Sequence, residues 1–227
     1  MIKKETMKIE TENYIHPKRP AKFGIEGFLE NTFIQFKKEL ERLRQTIYDY
    51  EEYKDIFDLD ERTWIGIFNT AIIKAFPNTS ITLQEYGVYC TKNFVGRADL
   101  LVHWKDNKGR CFYLLFEAKK YKEKSIENLY DDSESDFITV LEQGIKYYEA
   151  DLKYYKGKKV YVIPILFGRL SEDKKKRTGI INKAREYFEP AFNKEDYPTD
   201  FCSLYYEEEN GVWVYGKIYP AKKKSNG

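Results

Sequence analysis

Along the first half of the chain, apolar positions recur at spacings of three and four. Leu29, Phe33, Phe36, Leu40, Leu43 and Ile47 fall on one stripe, which predicts a long amphipathic helix. A second helix is expected to start near Glu61, with Trp64, Ile65, Phe68, Ile72 and Ala75 as its buried face, and to stop before Pro77 because proline disfavours helical backbone in the residue ahead of it. After the breaker Pro77-Asn78-Thr79-Ser80 the pattern changes to β-formers over residues 81–90, 98–104 and 111–118. The last two flank the turn-rich run Lys105-Asp106-Asn107-Lys108-Gly109-Arg110 and read as a hairpin. An acidic loop at 131–134 then leads into a helix with Phe137, Leu141, Gly144, Ile145, Tyr148, Leu152 and Tyr155 on one face. Residues 160–167 are apolar throughout, as in a strand covered on both sides, with Pro164 the awkward member. A basic helix over 172–188 and two short strands, 202–206 and 212–218, complete the expectation.

That order predicts an α/β protein with a central mixed β-sheet flanked by α-helices and an extra N-terminal helix. It does not fit a doubly wound parallel sheet, since neither βαβαβ alternation nor a glycine-rich phosphate loop is present. One domain over residues 23–220 is expected, between a mobile charged segment, 1–22, and a basic tail, 221–227.

Composition narrows the chemistry. At 227 residues, 42% of them hydrophobic, the chain is long enough for one substantial core. Its longest apolar runs fall short of the roughly 20 residues a membrane helix needs, and Lys3, Lys4 and Glu5 interrupt any signal-peptide core. The expectation is a cytoplasmic protein without membrane association. Three cysteines, Cys90, Cys111 and Cys202, lack C-x-x-C spacing, which argues against a disulfide framework, a zinc site or a four-cysteine cluster. With only His16 and His103, a Ser-His-Asp triad has little material. Catalysis would rest on carboxylates and lysines.

A net charge of +2, from 39 basic and 37 acidic residues, does not by itself point to nucleic acid. Distribution matters more. Basic residues cluster at 119–124, 153–159, 174–177 and 222–224, some interleaved with tyrosines as in Lys119-Lys120-Tyr121-Lys122. Such runs suit phosphate contact with base stacking, and equally suit a solvated rim around a core.

In the hairpin, charge and burial conflict. Both strands are apolar, yet each carries an acid at one end, Asp99 and Glu117. With the turn centred on Lys108, Trp104 faces Phe112 and Asp99 faces Glu117. Directly opposed β-carbons stand about 4.5–5.5 Å apart, where like charges repel and one carboxylate tends to stay protonated. A hard divalent cation removes that conflict, because Mg²⁺ accepts one or two carboxylates and keeps waters that substrate oxygens can replace. Lys119 follows Glu117 by two residues and so shares its face. An ammonium there can serve an attacking water and offset developing phosphoryl charge. An ordinary ion-paired strand end explains any one of these residues, but less readily all three.

Arg97-Ala98-Asp99-Leu100 followed by Glu117-Ala118-Lys119 resembles the D…(E)xK motif of the PD-(D/E)XK, or restriction endonuclease-like, nucleases. The element order from about 60 to 168 resembles that family's common core. The resemblance implies that Asp99 and Glu117 bind Mg²⁺, with Mn²⁺ as a substitute, that Ala118 lends its backbone carbonyl to the metal, and that Lys119 serves the water. It further implies a carboxylate from the first core helix, for which Glu61 fits by position and Glu85 is the substitute. Glu61 also fits a helix N-terminal capping box. Gln143-Gly144-Ile145-Lys146-Tyr147 matches the Q-x-x-x-Y motif of recombination and repair members, with Gln143 in the catalytic set, although Gln143 lies off the apolar stripe. No proline precedes Asp99, and the cysteines of the iron–sulfur subgroup are absent.

The resulting expectation is a metal-dependent nuclease acting on DNA, for which a homodimer would place two cutting centres on a duplex. The alternative is a catalytically inert nucleic-acid-binding or protein-interaction module on the same fold. Sugar hydrolysis by the acid pair is disfavoured because it leaves the lysine unused.

Overall fold

The computed structural model describes residues 9–15, 19–48, 59–90, 93–120, 139, 142–146, 159–170, 173–188, 200–207 and 211–220. Helices α1 (Arg19–Phe23), α2 (Glu26–Tyr48), α3 (Glu61–Ala75), α4 (142–146) and α5 (Lys174–Phe188) accompany eight strands. These are β1 (Glu10–Ile15), β2 (Ser80–Cys90), β3 (Asn93–Lys105), β4 (Cys111–Lys120), β5 (Lys159–Leu170), β6 (Phe201–Tyr206), β7 (Gly211–Gly216) and β8 (Tyr219–Pro220). They form one open sheet in the order β1-β6-β7-β5-β4-β3-β2, with β8 alongside β5. The β4–β5 pair is parallel and the other described pairs are antiparallel. The architecture is therefore α/β with a mixed, mostly antiparallel open sheet flanked by helices. Among the described residues no helix is long and apolar enough to cross a membrane.

Alternation along the strands sorts the two faces. Phe28, Phe33 and Phe36 of α2, with Trp64 and Phe68 of α3, pack on Leu100 and Val102 of β3, Phe116 of β4 and Ile163 and Phe167 of β5. The Trp64 and Phe167 rings stack at 6.0 Å, and Phe68 meets Phe116 edge-on at 5.4 Å. On the opposite face Leu166 and Leu170 of β5 join Trp213 and Tyr215 of β7 and Ile180 and Ile181 of α5. At the hairpin, that second face carries the acids.

The hairpin register follows from its turn. Asp106 Oδ1 accepts the backbone N–H groups of Lys108 at 2.9 Å and Arg110 at 2.7 Å, while Oδ2 accepts Arg110 Nε at 2.6 Å. Gly109 takes the left-handed φ of 77° that closes the loop, a conformation open to a residue without a β-carbon. This aligns Lys105 with Cys111 and Trp104 with Phe112, whose rings lie 4.9 Å apart, as the sequence predicts.

Several details depart from expectation. Part of the terminal segment read as mobile, Glu10–Ile15, is an edge strand paired with β6. Its alternating polar sequence gives little apolar signal, and what holds it is a ladder of backbone bonds to a strand formed far later in the chain. Pro164 is accommodated because β5 changes partners around it. Tyr161 and Val162 pair with β8, Ile165 to Leu170 pair with β7, and between them the Pro164 carbonyl accepts Lys217 N–H at 3.2 Å. Of the cysteines, Cys202 is buried and its thiol is pushed up by that burial, whereas Cys111 is only half-buried. The acidic loop at 131–134 and the basic tail lie outside the described residues, as do Lys122, Lys124 and Lys153–Lys158 of the lysine clusters.

Candidate active site

The register carries Asp99 and Glu117 to opposite positions one step beyond the last paired residues, Leu100 and Phe116. Asp99 Oδ2 accepts the Ala118 backbone N–H at 2.7 Å, which ties the two strands together at this end. The Asp99 backbone N–H in turn hydrogen-bonds the Glu117 carboxylate. Glu117 is 1% exposed, and its Oε1 has no hydrogen-bond partner among the described residues. An orphaned carboxylate oxygen in such a place carries a desolvation penalty.

The electrostatics express that penalty. Burial pushes the Asp99 carboxyl up to about 6; the Ala118 N–H and Arg62 oppose this, while the charges of Glu61 and Glu85 add to it. Burial, followed by the charge of Asp99, pushes Glu117 up to about 9. Two acids that resist ionisation side by side form an environment a divalent cation would satisfy. Among the described residues no group of three or more His, Cys, Asp or Glu side chains is assembled for a metal. The donor set that fits is two carboxylates, all oxygen, which matches a hard cation that retains most of its waters.

Lys119 lies two residues beyond Glu117 in β4, half-buried, in register with Leu166 of β5. By alternation it shares the acids' face. Glu61 arrives from the opposite layer. It opens α3, next to the N-cap Asp60, whose side chain accepts Thr63 N–H at 2.7 Å. Its Oε2 accepts the Lys120 backbone N–H at 2.8 Å. Both readings of Glu61 thus have substance: it stands in the first turn of the helix, and its charge is felt by both acids. Its described role is to pin the end of β4, not to join a three-acid cage.

Gln143 is exposed on α4, and Tyr147 of its motif lies outside the described residues. The neighbouring Gly144 is buried. A β-carbon there would stand 2.4 Å from Val162 Cγ1 and 3.3 Å from Glu117 Cγ, so only glycine lets α4 sit this low over the acid. Ile145, expected on the buried face, is exposed, since one residue is a 100° rotation and Gly144 takes the inward direction. Gly144→Ala is expected to lift α4 and displace Glu117, lowering any activity of the site about 10²-fold, the scale of an ångström-sized misplacement. Val162→Ala in the same chain, by removing the obstructing methyl, should restore most of it. Rate measurements on the single and double variants check this.

Two features escape pattern reading. One is the Gly144–Val162 contact across the sheet face. The other is a charged group around Glu85. Gln84 pairs with Leu100 and Tyr86 with Ala98, so Glu85 lies opposite Asp99, with a left-handed φ of 52°. Arg62 and Arg97 both reach its carboxylate, at 3.8 and 3.7 Å. The signal available in the sequence was Arg97 two residues ahead of Asp99, and Arg62 beside Glu61.

No protein-family model, curated protein or solved structure matches the chain.

Proposed function

We propose that this chain is a divalent-metal-dependent nuclease that hydrolyses phosphodiester bonds of DNA on a restriction endonuclease-like core. The observation that carries the reading is the opposed pair of half-buried Asp99 and buried Glu117, with Glu117 Oε1 lacking a hydrogen-bond partner among the described residues and Lys119 next along the same face. The resemblance of Asp99…Glu117-Ala118-Lys119 to the nuclease motif agrees with it.

Asp99, Glu117 and the Ala118 backbone carbonyl would hold Mg²⁺ or Mn²⁺. When bound, the ion supplies Lewis-acid stabilisation of phosphoryl charge and a more acidic water. The rest is the work of the chain. Asp99 holds β3 to β4 through the Ala118 N–H, which fixes the spacing of the two carboxylates. Glu61 fixes the end of β4 through Lys120, and with it the backbone that carries Lys119. The Lys119 ammonium orients the attacking water and offsets negative charge as the phosphorus centre gains an oxygen. Gly144 lets α4 pack against Val162 and Glu117, and Glu117 is buried, so charge interactions there act at reduced screening. Gln143, exposed on α4 beside Gly144, would contact a strand that entered the site over this helix.

Supercoiled plasmid incubated with the purified chain in Mg²⁺ or Mn²⁺ should be nicked, with no cleavage in EDTA, and calorimetry should detect Mn²⁺ binding. An intact plasmid together with no Mn²⁺ binding would defeat the proposal in favour of an inert binding module.

A further inference from the structure

We propose that Arg62 and Arg97 form a clamp for a backbone phosphate of the nucleic-acid strand, and that Glu85 holds the phosphate's place between them in the free protein. The identity of the ligand rests on the nuclease reading; the clamp itself rests on geometry. Arg62 lies in the first turn of α3, and Arg97 lies on β3 two residues ahead of Asp99. Their guanidinium groups converge on one carboxylate, Arg62 Nε at 3.8 Å from Glu85 Oε1 and Arg97 Nη1 at 3.7 Å from Oε2.

Three observations bear on what this group can take up. First, the contacts are long for charge-assisted hydrogen bonds, and the arginine side chains remain 83% and 64% exposed, so their donors stay available and the pairs contribute little to stability. Second, Glu85 occupies its position with a left-handed φ of 52°, which is unfavourable for a residue with a β-carbon. Third, its charge adds to the repulsion already present at Asp99 and Glu117. The fold thus keeps an acid opposite Asp99 against both backbone preference and electrostatics, within reach of two arginines. A phosphodiester has the same sign of charge and several acceptor oxygens, and two planar guanidinium forks bind such a group better than they bind one distant carboxylate. Its arrival would free Glu85 and seat the strand one step from the acid pair.

The test is fluorescence anisotropy of a labelled DNA duplex with the full Asp99→Asn chain in EDTA, where no cleavage occurs, over a range of salt concentrations. Arg62→Ala and Arg97→Ala should each weaken binding about tenfold and each lower the salt slope, by about 0.9 in the double variant, the value of the one phosphate they share. Glu85→Gln should tighten binding severalfold. All three side chains are exposed, so folding, checked by circular dichroism, should be unchanged. An unaltered affinity and slope in either arginine variant, weaker binding in Glu85→Gln, or no binding by the parent chain overturns the clamp. Arginine-dependent binding, together with a wild-type chain that leaves plasmid intact in Mg²⁺ and Mn²⁺ and binds no Mn²⁺, defeats the nuclease reading and keeps the clamp. Cleavage with arginine-independent binding does the reverse.

Discussion

Glu117→Gln should make the metal-free protein more stable while eliminating cleavage. Glutamine matches glutamate in shape but carries no charge, so it removes the cost of burying the anion or of taking up a proton to avoid doing so, and with it the repulsion with Asp99. The direction follows from proton linkage. The folded-state pKa values of Asp99 and Glu117 are raised to about 6 and about 9, so above the ordinary carboxylate range the native state binds more protons than the unfolded chain. Stability is then fully present below the ordinary carboxylate range and is lost as pH rises from there, up to about 6 for Asp99 and towards about 9 for Glu117. At neutral pH the substitution should recover on the order of 1–3 kcal/mol, several degrees in melting temperature for a chain of this size. Thermal unfolding of the wild type in EDTA should show a downward slope with pH that Glu117→Gln flattens and that Mn²⁺ opposes in the wild type alone. Cleavage by the variant should fall about 10³-fold or more, and Mn²⁺ binding should fall with it. A variant that cuts at the normal rate, or is less stable at neutral pH without metal, would remove Glu117 from the site.

Lys119→Ala should behave differently. The lysine is expected to act on the water and on developing charge, not on the cation, so the variant should keep Mn²⁺ affinity within about twofold and lose about 10²–10⁴-fold in cleavage rate, the range for one positioned acid–base or charge-stabilising group. Its loss should appear in the rate of the chemical step under saturating DNA, measured by single turnover, with KM little changed. A defect confined to DNA affinity would make Lys119 a phosphate contact instead.

Much of this arrangement was legible in the sequence because local chemistry determines it. Spacings of three and four between Leu29 and Ile47 mark α2, and Asp60 ahead of Trp64 marks the start of α3. The turn at Asp106–Arg110 fixes a register from which the Asp99–Glu117 opposition follows by counting, and the structure shows that register. What stayed hidden depends on contacts between distant segments. Glu10–Ile15 becomes a strand because β6 is there to pair with it. Glu61 reaches the Lys120 backbone across 59 positions of chain, so the sequence could offer an inward-pointing acid but not its partner. The meeting of Arg62, Arg97 and Glu85 needs α3, β2 and β3 in place together. Gly144 lay on the expected stripe, but only the packed structure shows Glu117 and Val162 beneath it.

The parallel β4–β5 pair bears on how the site is assembled. Antiparallel β3 and β4 meet through a tight turn, an event of low loop-closure cost, whereas β5 must return over a long crossover before Val162 can lie beside Leu115. On that ordering the two acids would be juxtaposed early, while water still screens them, and would become reluctant to ionise as the rest of the fold, β5 and α4 included, docks over them. A nascent chain ending before residue 159 would carry both carboxylates in a solvated hairpin with no particular appetite for a cation. On the metal-binding reading, demand for the ion would belong to the finished fold, so a divalent salt should slow unfolding much more than it speeds formation of the hairpin.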